Sequence, residues 1–214
     1  MVNKSKQLSY WQGKFGDEYI NRNRDLTLFK KRMGFFKKLL NSYPEIKSIL
    51  EVGTNIGGNL SVLQQINPTL DLTAIEPNKK AAAMAEDLVP EAHIFNQSIQ
   101  GFERAEKYDL VYTSGVLIHI SDNDLKTVLQ KIYDLSRKYI LTIEYYSEKK
   151  QLIPYRNLTD ALFKRPYNRE WLVHYPRLKL LTTGFLDTED GFDNCHWWLF
   201  EKFKDYAKND LFTK

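Results

Sequence analysis

Acidic residues and glycines stand in this sequence at positions where proteins commonly bind a ligand. The stretch ILEVGTNIGGNL, residues 49–60, places Glu51 in an apolar run and glycines at 53, 57 and 58 behind it. A glycine-rich turn between a strand and a helix is typical of a loop whose backbone lies against a ligand. This loop is therefore the first candidate for a binding site.

The glycine spacing differs from that of loops that bind a dinucleotide. Those loops follow the pattern G-x-G-x-x-G, in which the second glycine lets the backbone approach a pyrophosphate. Here Asn55 occupies that second position. The carboxylate of Glu51 would also repel a phosphate and attract an ammonium or a sulfonium. We therefore predict a ligand with a cationic end and no phosphate.

Glu76, in the sequence AIEPN, is the second acid of this candidate site. It lies 23 residues after Gly53 and follows the next apolar run, where a carboxylate can accept hydrogen bonds from both hydroxyls of a ribose. An adenosine with a cationic end is S-adenosylmethionine, which we predict as the cofactor, with S-adenosylhomocysteine as the product. Taken singly, Gly53 also fits a tight turn, and Glu76 also fits a helix start.

Alternating strand and helix patterns must position these residues. From about Ser48 to Tyr146, short apolar runs alternate with helical patterns, which predicts a parallel sheet with helices on both faces. The runs LKLLTTGFL and CHWWLFEKF follow, joined by the polar loop DTEDGFDN, and predict an antiparallel hairpin at the sheet edge. The ends of the third and fourth strands should add adenine and methionine contacts from Gln97, Ser98, Thr113, Ser114 and Gly115.

Composition and charge limit the alternatives. The chain has 214 residues, 43% of them hydrophobic and 27% charged, which suits one globular domain. No apolar run approaches the length of a membrane span and no secretory signal is visible, so we expect a cytoplasmic protein without a membrane partner. The single cysteine, Cys195, excludes an internal disulfide, and the four histidines are scattered, so no metal site is predicted.

The net charge of +4 is weak evidence for a nucleic-acid partner, and we predict none. The basic residues of LFKKRMGFFKKLL, at 28–40, alternate with apolar residues at helical spacing. They are therefore expected on the solvent face of one amphipathic helix. These residues are Lys30, Lys31, Arg32, Lys37 and Lys38.

These motifs resemble those of a known family. The pattern E-x-G-x-x-x-G at 51–57, IEPN and DLVYTSGVLIHI resemble class I S-adenosylmethionine-dependent methyltransferases over about residues 45–203. The resemblance implies a Rossmann-like doubly wound α/β sheet of seven strands, the last one antiparallel. YWQGKFGDEYINRN, IPYRNLTDALFKR and WWLFEK are similar to methylases associated with pseudaminic acid biosynthesis. That similarity implies a small anionic acceptor, a sugar acid or a nucleotide-sugar of surface glycans.

The resemblance also implies a division of the chain and roles for single residues. Residues 1–44 would form a helical lid, and residues 45–214 the methyltransferase domain, with an acceptor-covering insert at about 147–176. Arg22 would bind the methionine carboxylate, although a surface salt bridge is the alternative. The implied cofactor residues are Trp11, Tyr19, Arg22, Glu51, Gly53, Asn55, Gly57, Asn59, Glu76 and Pro77.

Methyl transfer to an alcohol requires the acceptor to lose a proton, so a positioned base would help. His119, in GVLIHI, is the first candidate, with simple packing as the alternative. Glu144 is expected as a second base or an amine anchor, and Tyr145 beside it as part of the catalytic site. Cations and aromatic rings suit an anionic sugar, although charge runs are usually solvated. The predicted substrate residues are Tyr146, Tyr155, Arg156, Lys164 and Arg165.

Two other functions remain open at this stage. A methyltransferase that modifies an amino acid, a peptide or a protein side chain would need a long open groove. A non-catalytic module on the same fold would bind RNA or a protein partner, and its binding to polyanions would collapse with salt. The sequence does not determine the acceptor atom or the oligomeric state.

Overall fold

Five parallel strands form the centre of the sheet. The computed structural model describes residues 5–203. The strand order is β3-β2-β1-β4-β5. The chain therefore adds β2 and β3 on one side of β1 and then crosses over to add β4 and β5 on the other side. Ligands of doubly wound sheets bind beside the carboxyl ends of strands at such a crossover. The strands are β1 (Ser48–Val52), β2 (Asp71–Ile75), β3 (His93–Phe95), β4 (Tyr108–Ser114) and β5 (Ser136–Glu144).

The predicted C-terminal hairpin completes the sheet. Strands β8 (Leu178–Leu186) and β9 (Cys195–Lys202) pair antiparallel, and β9 pairs antiparallel with β5. The sheet therefore has seven strands in the order β3-β2-β1-β4-β5-β9-β8. This arrangement confirms the predicted fold class. The loop between β8 and β9 lies at the same edge as the carboxyl end of β5, because β9 runs in the opposite direction to β5.

Hydrophobic cores on both faces hold the helices against the sheet. On one face α7 (Asp122–Leu135) packs Val128 and Ile132 against strand residues such as Val111. On the other face α5 (Gly58–Ile66) packs Leu60 and Leu63. The remaining helices that follow β1 are α6 (Lys79–Leu88) and α8 (Tyr167–His174). Both sheet faces are covered, as the apolar strand sequences predict.

Four N-terminal helices precede the sheet, and one detail corrects the expectation for residues 28–40. The helices are α1 (Lys6–Gln12), α2 (Lys14–Arg22), α3 (Thr27–Lys31) and α4 (Met33–Ser42). The helix is interrupted at Arg32, between α3 and α4, so the expectation of one continuous helix is wrong. Arg32 does not face solvent: its guanidinium lies 4.4 Å from the ring centres of both Phe29 and Phe192. The four lysines of the segment are exposed, as predicted.

The predicted insert contains a hairpin that the sequence did not reveal. Strands β6 (Gln151–Tyr155) and β7 (Leu158–Lys164) pair antiparallel. Arg156 and Asn157 form the turn with φ of +48° and +66°, and positive φ at both central residues is typical of a tight hairpin turn. Pro154 within β6 obscured the strand, because proline removes a backbone donor.

Within residues 5–203 no helix has the length and apolar character needed to cross a membrane. In the same part of the chain, no three His, Cys, Asp or Glu side chains group in a way that would hold a metal ion.

Replacing Gly191 by alanine is expected to lower the free energy of unfolding by about 1–3 kcal/mol. Gly191 lies in the β8–β9 loop with φ of +81°, and a Cβ there would lie 2.3 Å from the Leu28 carbonyl oxygen. The matched control is Gly34→Ala, because no atom lies within 4 Å of a Cβ built at this helical position. That variant should gain up to about 1 kcal/mol. Urea denaturation measures both, and equal stability of the two variants would contradict the prediction.

Candidate active site

A cavity of about 390 Å³ lies at the carboxyl ends of the parallel strands. Its volume is within the range of about 300–1,000 Å³ typical of small-molecule sites. Helices α1 and α2 and the β6–β7 hairpin contribute to its wall. Of the predicted site residues, the wall contains Trp11, Tyr19, Arg22, Gly53, Asn55, Asn59, Glu76, Pro77, Gln97, Ser98, Ser114, Gly115, His119, Tyr145, Tyr155 and Arg156.

Four backbone amides of the glycine loop donate hydrogen bonds within the protein. Gly53 N and Thr54 N donate to the Ile75 carbonyl oxygen at 2.8 and 3.3 Å, and Gly57 N donates to the Thr54 carbonyl at 3.0 Å. Asn55 N donates to Glu76 Oε2 at 2.8 Å. A dinucleotide loop directs its free amides at a pyrophosphate. These four amides are not available for that purpose.

Glu76 joins two loops at the cavity wall. Its Oε1 accepts from Asn78 N and its Oε2 from Asn55 N, both at 2.8 Å. Each carboxylate oxygen can accept a further hydrogen bond. The side chain is 7% exposed, and burial raises its pKa to about 7 against the lowering effect of the two amides. Glu76 is therefore a pre-oriented hydrogen-bond acceptor in the cavity.

Glu51 does not face the cavity, which corrects the predicted role of its charge. It is 1% exposed and lies behind the glycine loop, where it accepts from Thr54 Oγ1 at 2.6 Å and from Asn59 Nδ2 at 2.7 Å. Burial raises the pKa of Glu51. Asn59 in turn accepts from Arg32 Nη1 at 2.8 Å. Glu51 thus orders the loop from inside, and Gly57 and Thr113 also lie outside the cavity wall.

Arg22 presents an unsatisfied donor to the cavity. Its Nη2 atom is buried and has no hydrogen-bond partner among residues 5–203. The guanidinium lies 5.0 Å from the ring centre of Tyr19 and 5.8 Å from that of Phe15. The described residues offer Arg22 no ion-pair partner, so the surface salt bridge considered above is not formed. Since a buried unpaired donor costs about 1–3 kcal/mol, this position suits a ligand carboxylate.

His119 is a neutral imidazole with one free nitrogen. Its Nδ1 lies 2.6 Å from the Ala161 carbonyl oxygen. A carbonyl only accepts, so Nδ1 carries the proton and Nε2 is left as an acceptor. Burial lowers the pKa of His119 to about 4. The ring of Trp11 covers it at a centroid distance of 4.5 Å, which separates the imidazole from bulk water.

The sequence did not identify Asp193, which lies in the cavity wall beside Tyr145. Tyr145 Oη donates to Asp193 Oδ2 at 2.8 Å. Tyr19 and Tyr155 line the same cavity as Asp193. Burial raises the pKa of Tyr19, and Tyr155 and Asp193 add to this effect to a smaller extent. The sequence of the loop DTEDGFDN predicts a turn and no further role. Nothing in its composition indicated which of its acids would point inward.

Asp160 joins the two elements that cover the cavity, and it too was missed. Lys6 Nζ pairs with its carboxylate at 2.9 Å, and Tyr10 Oη donates to it at 3.2 Å. Gln7 Nε2 donates to the Asp160 carbonyl at 3.0 Å. Helix α1 is therefore fastened to strand β7. A single acid in a strand carries no sequence signal for such a contact.

Four other predicted residues lie outside the cavity wall, and Glu144 is the first of them. Glu144 is fully buried, and its carboxylate accepts hydrogen bonds from the amides of Val116, Leu117 and Ile118. Burial raises its pKa to about 7. The predicted role as a second base or an amine anchor requires contact with the cavity. The structure corrects this role.

Tyr146, Lys164 and Arg165 are the other predicted substrate residues outside the cavity wall. Arg165 is 2% exposed and pairs with Asp122 at 2.6 Å. Lys164 Nζ lies 5.6 Å from the ring centre of Tyr145, and Tyr146 donates to Glu148. Lys164 is the last residue of β7 and Arg165 follows it, so the β6–β7 hairpin, which the sequence did not predict, sets the positions of both. Of the predicted cations of the insert, Arg156 reaches the wall.

Comparisons with known proteins agree with this geometry. A family profile described as a methyltransferase domain matches residues 20–183. A search of curated protein sequences found no match.

Solved structures share the fold at low sequence identity. The chain is similar to the 1,6-didemethyltoxoflavin-N1-methyltransferase of Burkholderia thailandensis in complex with S-adenosylhomocysteine, with a TM-score of 0.69, 14% identity and coverage of 94% of this chain and 92% of that one. It is also similar to magnesium protoporphyrin IX methyltransferase from Synechocystis with bound S-adenosylmethionine. Here the TM-score is 0.69, the identity is 11%, and the coverage is 95% of this chain and 100% of that one. The chain is similar as well to the plantazolicin methyltransferase in complex with a pentazolic desmethylPZN analog and S-adenosylhomocysteine, with a TM-score of 0.66, 15% identity and coverage of 92% of this chain and 95% of that one.

Proposed function

The chain belongs to the family of methyltransferase domains, and from this premise we propose that it transfers the methyl group of S-adenosylmethionine to a small acceptor. The observation that carries the proposal is the Glu76 carboxylate, which two loop amides orient in the cavity wall. A carboxylate at the end of the second strand suits the two hydroxyls of a ribose. The engaged amides of the glycine loop argue against a dinucleotide at the same place.

The residues of the cavity fit this cofactor. Glu76 would accept from the ribose hydroxyls, and the unpartnered Nη2 of Arg22 would donate to the methionine carboxylate. Gln97 and Ser98, on the wall after β3, would border the adenine. When bound, the cofactor supplies an electrophilic methyl group on a sulfonium. The remaining proposed contacts are Trp11, Tyr19, Gly53, Asn55, Asn59, Pro77, Ser114 and Gly115.

The chain itself supplies orientation, a proton acceptor and protection from water. His119 Nε2 is unprotonated and would accept the proton of an acceptor hydroxyl or amine. Trp11 and Tyr155 lie 4.5 and 5.7 Å from the His119 ring by centroid distance. They would exclude water from the reacting atoms. A base in such a position contributes about 10²–10⁴-fold to a rate.

For the acceptor we propose a small anionic molecule, a sugar acid or a nucleotide-sugar of surface glycan biosynthesis. Arg156 on the cavity wall would bind its acidic group, and the ring of Tyr155 would lie against a sugar face. Tyr145 and Asp193 would bind its hydroxyls. Lys164 and Arg165 no longer support this proposal, so the anionic character depends on Arg156.

The covering elements favour a small acceptor over a long peptide or a protein. The contacts of Asp160 with Lys6, Gln7 and Tyr10 close the side of the cavity between α1 and β7. A peptide substrate would need an open groove. The polar groups directed into the cavity also disfavour a non-catalytic module, since such a module has no use for an unpaired buried donor at Arg22. Of the predicted lid at 1–44 and domain at 45–214, residues 1–4 and 204–214 lie outside the described part of the chain, and residues 5–44 are accordingly proposed as the lid of the domain at 45–203.

Calorimetric titration with S-adenosylhomocysteine, run beside NAD, tests the proposed function. We expect S-adenosylhomocysteine to bind one site per chain with a Kd in the micromolar range, about −8 kcal/mol, and NAD to give no heat of binding. A folded protein that binds NAD, or that binds neither ligand, would rule out the methyltransferase proposal.

A further inference from the structure

Glu144 ends β5 next to the loop that carries His119. Its side chain is fully buried. Gly115 N donates to the Ile143 carbonyl at 2.9 Å, so the loop after β4 begins alongside the last residues of β5. The carboxylate is not among the groups that line the cavity. Its role must therefore be exerted through its neighbours.

The carboxylate binds three consecutive backbone amides. Oε1 accepts from Val116 N at 3.1 Å and from Leu117 N at 3.0 Å, and Oε2 accepts from Ile118 N at 3.2 Å. These amides open the 3-10 turn Leu117–His119. The first amides of a helical turn have no partner within the turn, and a negative charge is favourable at that end. The Glu144 side chain thus accepts hydrogen bonds from the three amides at the start of the turn.

The other end of the turn is held by His119 itself. His119 N donates to the Val116 carbonyl at 2.9 Å, and the ring Nδ1 lies 2.6 Å from the Ala161 carbonyl. The backbone amide of Ile118, directly before His119, is the third amide that Glu144 binds. Movement of the turn would therefore change the ring's distance from Ala161 and, with it, the nitrogen that carries the proton.

We propose that Glu144 is a positioning residue that holds the turn Leu117–His119 so that His119 keeps its Nδ1–H bond to Ala161 and a free Nε2 in the cavity wall. This inference rests on the proposed function, because it assigns the device that prepares the proposed base. It replaces the idea that Glu144 is itself a base. The effect depends on an acceptor of three amides, which an amide side chain cannot replace.

Glu144→Gln is the discriminating variant. Glutamine has the same length but a single carbonyl oxygen, and its NH₂ group would face backbone amides that also donate. We expect amide hydrogen exchange of residues 116–119 to become about tenfold faster or more. We also expect the ¹⁵N shifts of His119 to change from the Nδ1–H tautomer to a mixture of both tautomers. Spectra are recorded at pH 8, above the pKa of about 7 to which burial raises Glu144.

Glu148→Gln is the matched control, because Glu148 is an exposed acid four residues further along that pairs with Arg169. It should leave both readouts at their wild-type values. A folded Glu144→Gln protein with wild-type exchange and a single Nδ1–H tautomer would overturn the inference. If Glu144→Gln does not fold, Glu144→Asp decides, since the charge is kept but the reach is one methylene shorter. Faster exchange confined to 116–119 supports the proposal, and unchanged exchange contradicts it.

Neither readout needs a bound ligand or an acceptor. If the wild-type protein failed to bind S-adenosylhomocysteine, the proposed function would fail while the tautomer of His119 could still be measured. If S-adenosylhomocysteine binds but Glu144→Gln leaves His119 unchanged, only the positioning role is lost. The two failures are therefore distinguishable.

Discussion

Replacing His119 by alanine is expected to lower kcat for methyl transfer by roughly 10²–10⁴-fold, the contribution of a positioned general base. The reason is the free Nε2, which exists because Nδ1 is committed to the Ala161 carbonyl at 2.6 Å. Binding of S-adenosylhomocysteine should change little, since the proposed ribose and carboxylate contacts are made by Glu76 and Arg22. The measurement is steady-state methyl transfer, at saturating concentrations, to an acceptor found by screening sugar acids and nucleotide-sugars.

The pH profile gives this prediction a second readout. Burial lowers the pKa of His119 to about 4, so the imidazole stays neutral and able to accept a proton at every pH above about 4. Its protonation should therefore reduce kcat only below that value, and not near the ordinary pKa of about 6.5. The same shift means that histidine protonation lowers the free energy of unfolding as pH falls from 6.5 towards 4, because the unfolded chain takes up the proton first.

His93→Ala is the matched control for His119→Ala. His93 is exposed at the first position of β3 and should leave kcat unchanged. Wild-type kcat in the folded His119→Ala protein would contradict a role for His119 as base and would favour the alternative that it only packs beneath Trp11.

Replacing Glu76 by alanine is expected to weaken S-adenosylhomocysteine binding by about 10–100-fold. Hydrogen bonds to a charged group contribute about 1.5–3 kcal/mol, and every 1.4 kcal/mol changes an affinity tenfold. The variant also leaves the amides of Asn55 and Asn78 without their acceptor, so the loop loses its orientation. Calorimetric titration at pH 8 measures the change.

Two controls separate binding from folding in the Glu76 variant. Glu86→Ala removes an exposed acid from α6 and should bind like the wild type. Glu76→Gln keeps one carbonyl oxygen and should give an intermediate loss. Wild-type affinity of the Glu76→Ala protein would remove the principal support for the ribose assignment.

The affinity of the wild-type protein should also depend on pH through Glu76. Burial raises its pKa to about 7. Ribose hydroxyls donate to the carboxylate, so the ionised form binds better, and affinity should fall as pH decreases through about 7. The Glu76→Gln protein should lack this dependence.

The architecture of this protein was largely predictable from its sequence. Apolar runs alternating with helical patterns specify strands and helices locally, and the rule that parallel strands end at one edge brings their ends together. That is why Glu76, His119 and Gly53 could be expected in one cavity. The C-terminal hairpin was also predictable from local sequence, because a short polar loop joins two consecutive strand patterns. The β6–β7 hairpin was not, because Pro154 interrupts its strand pattern.

Only the tertiary structure decided what each polar side chain contacts. The structure gives internal hydrogen-bond or ion-pair partners to Glu51, Glu144 and Arg165. Asp193, in a turn-rich loop, lies instead in the cavity wall, and Asp160, in strand β7, binds helix α1 over the cavity. The contacts responsible join residues far apart in the chain, such as Lys6 with Asp160 and Tyr145 with Asp193. Local sequence places a residue at the end of a strand. The direction of its side chain then depends on which hydrogen-bond donors lie within reach when its polar atoms are buried. Those donors come from distant segments of the chain and are in place only after the segments have packed together.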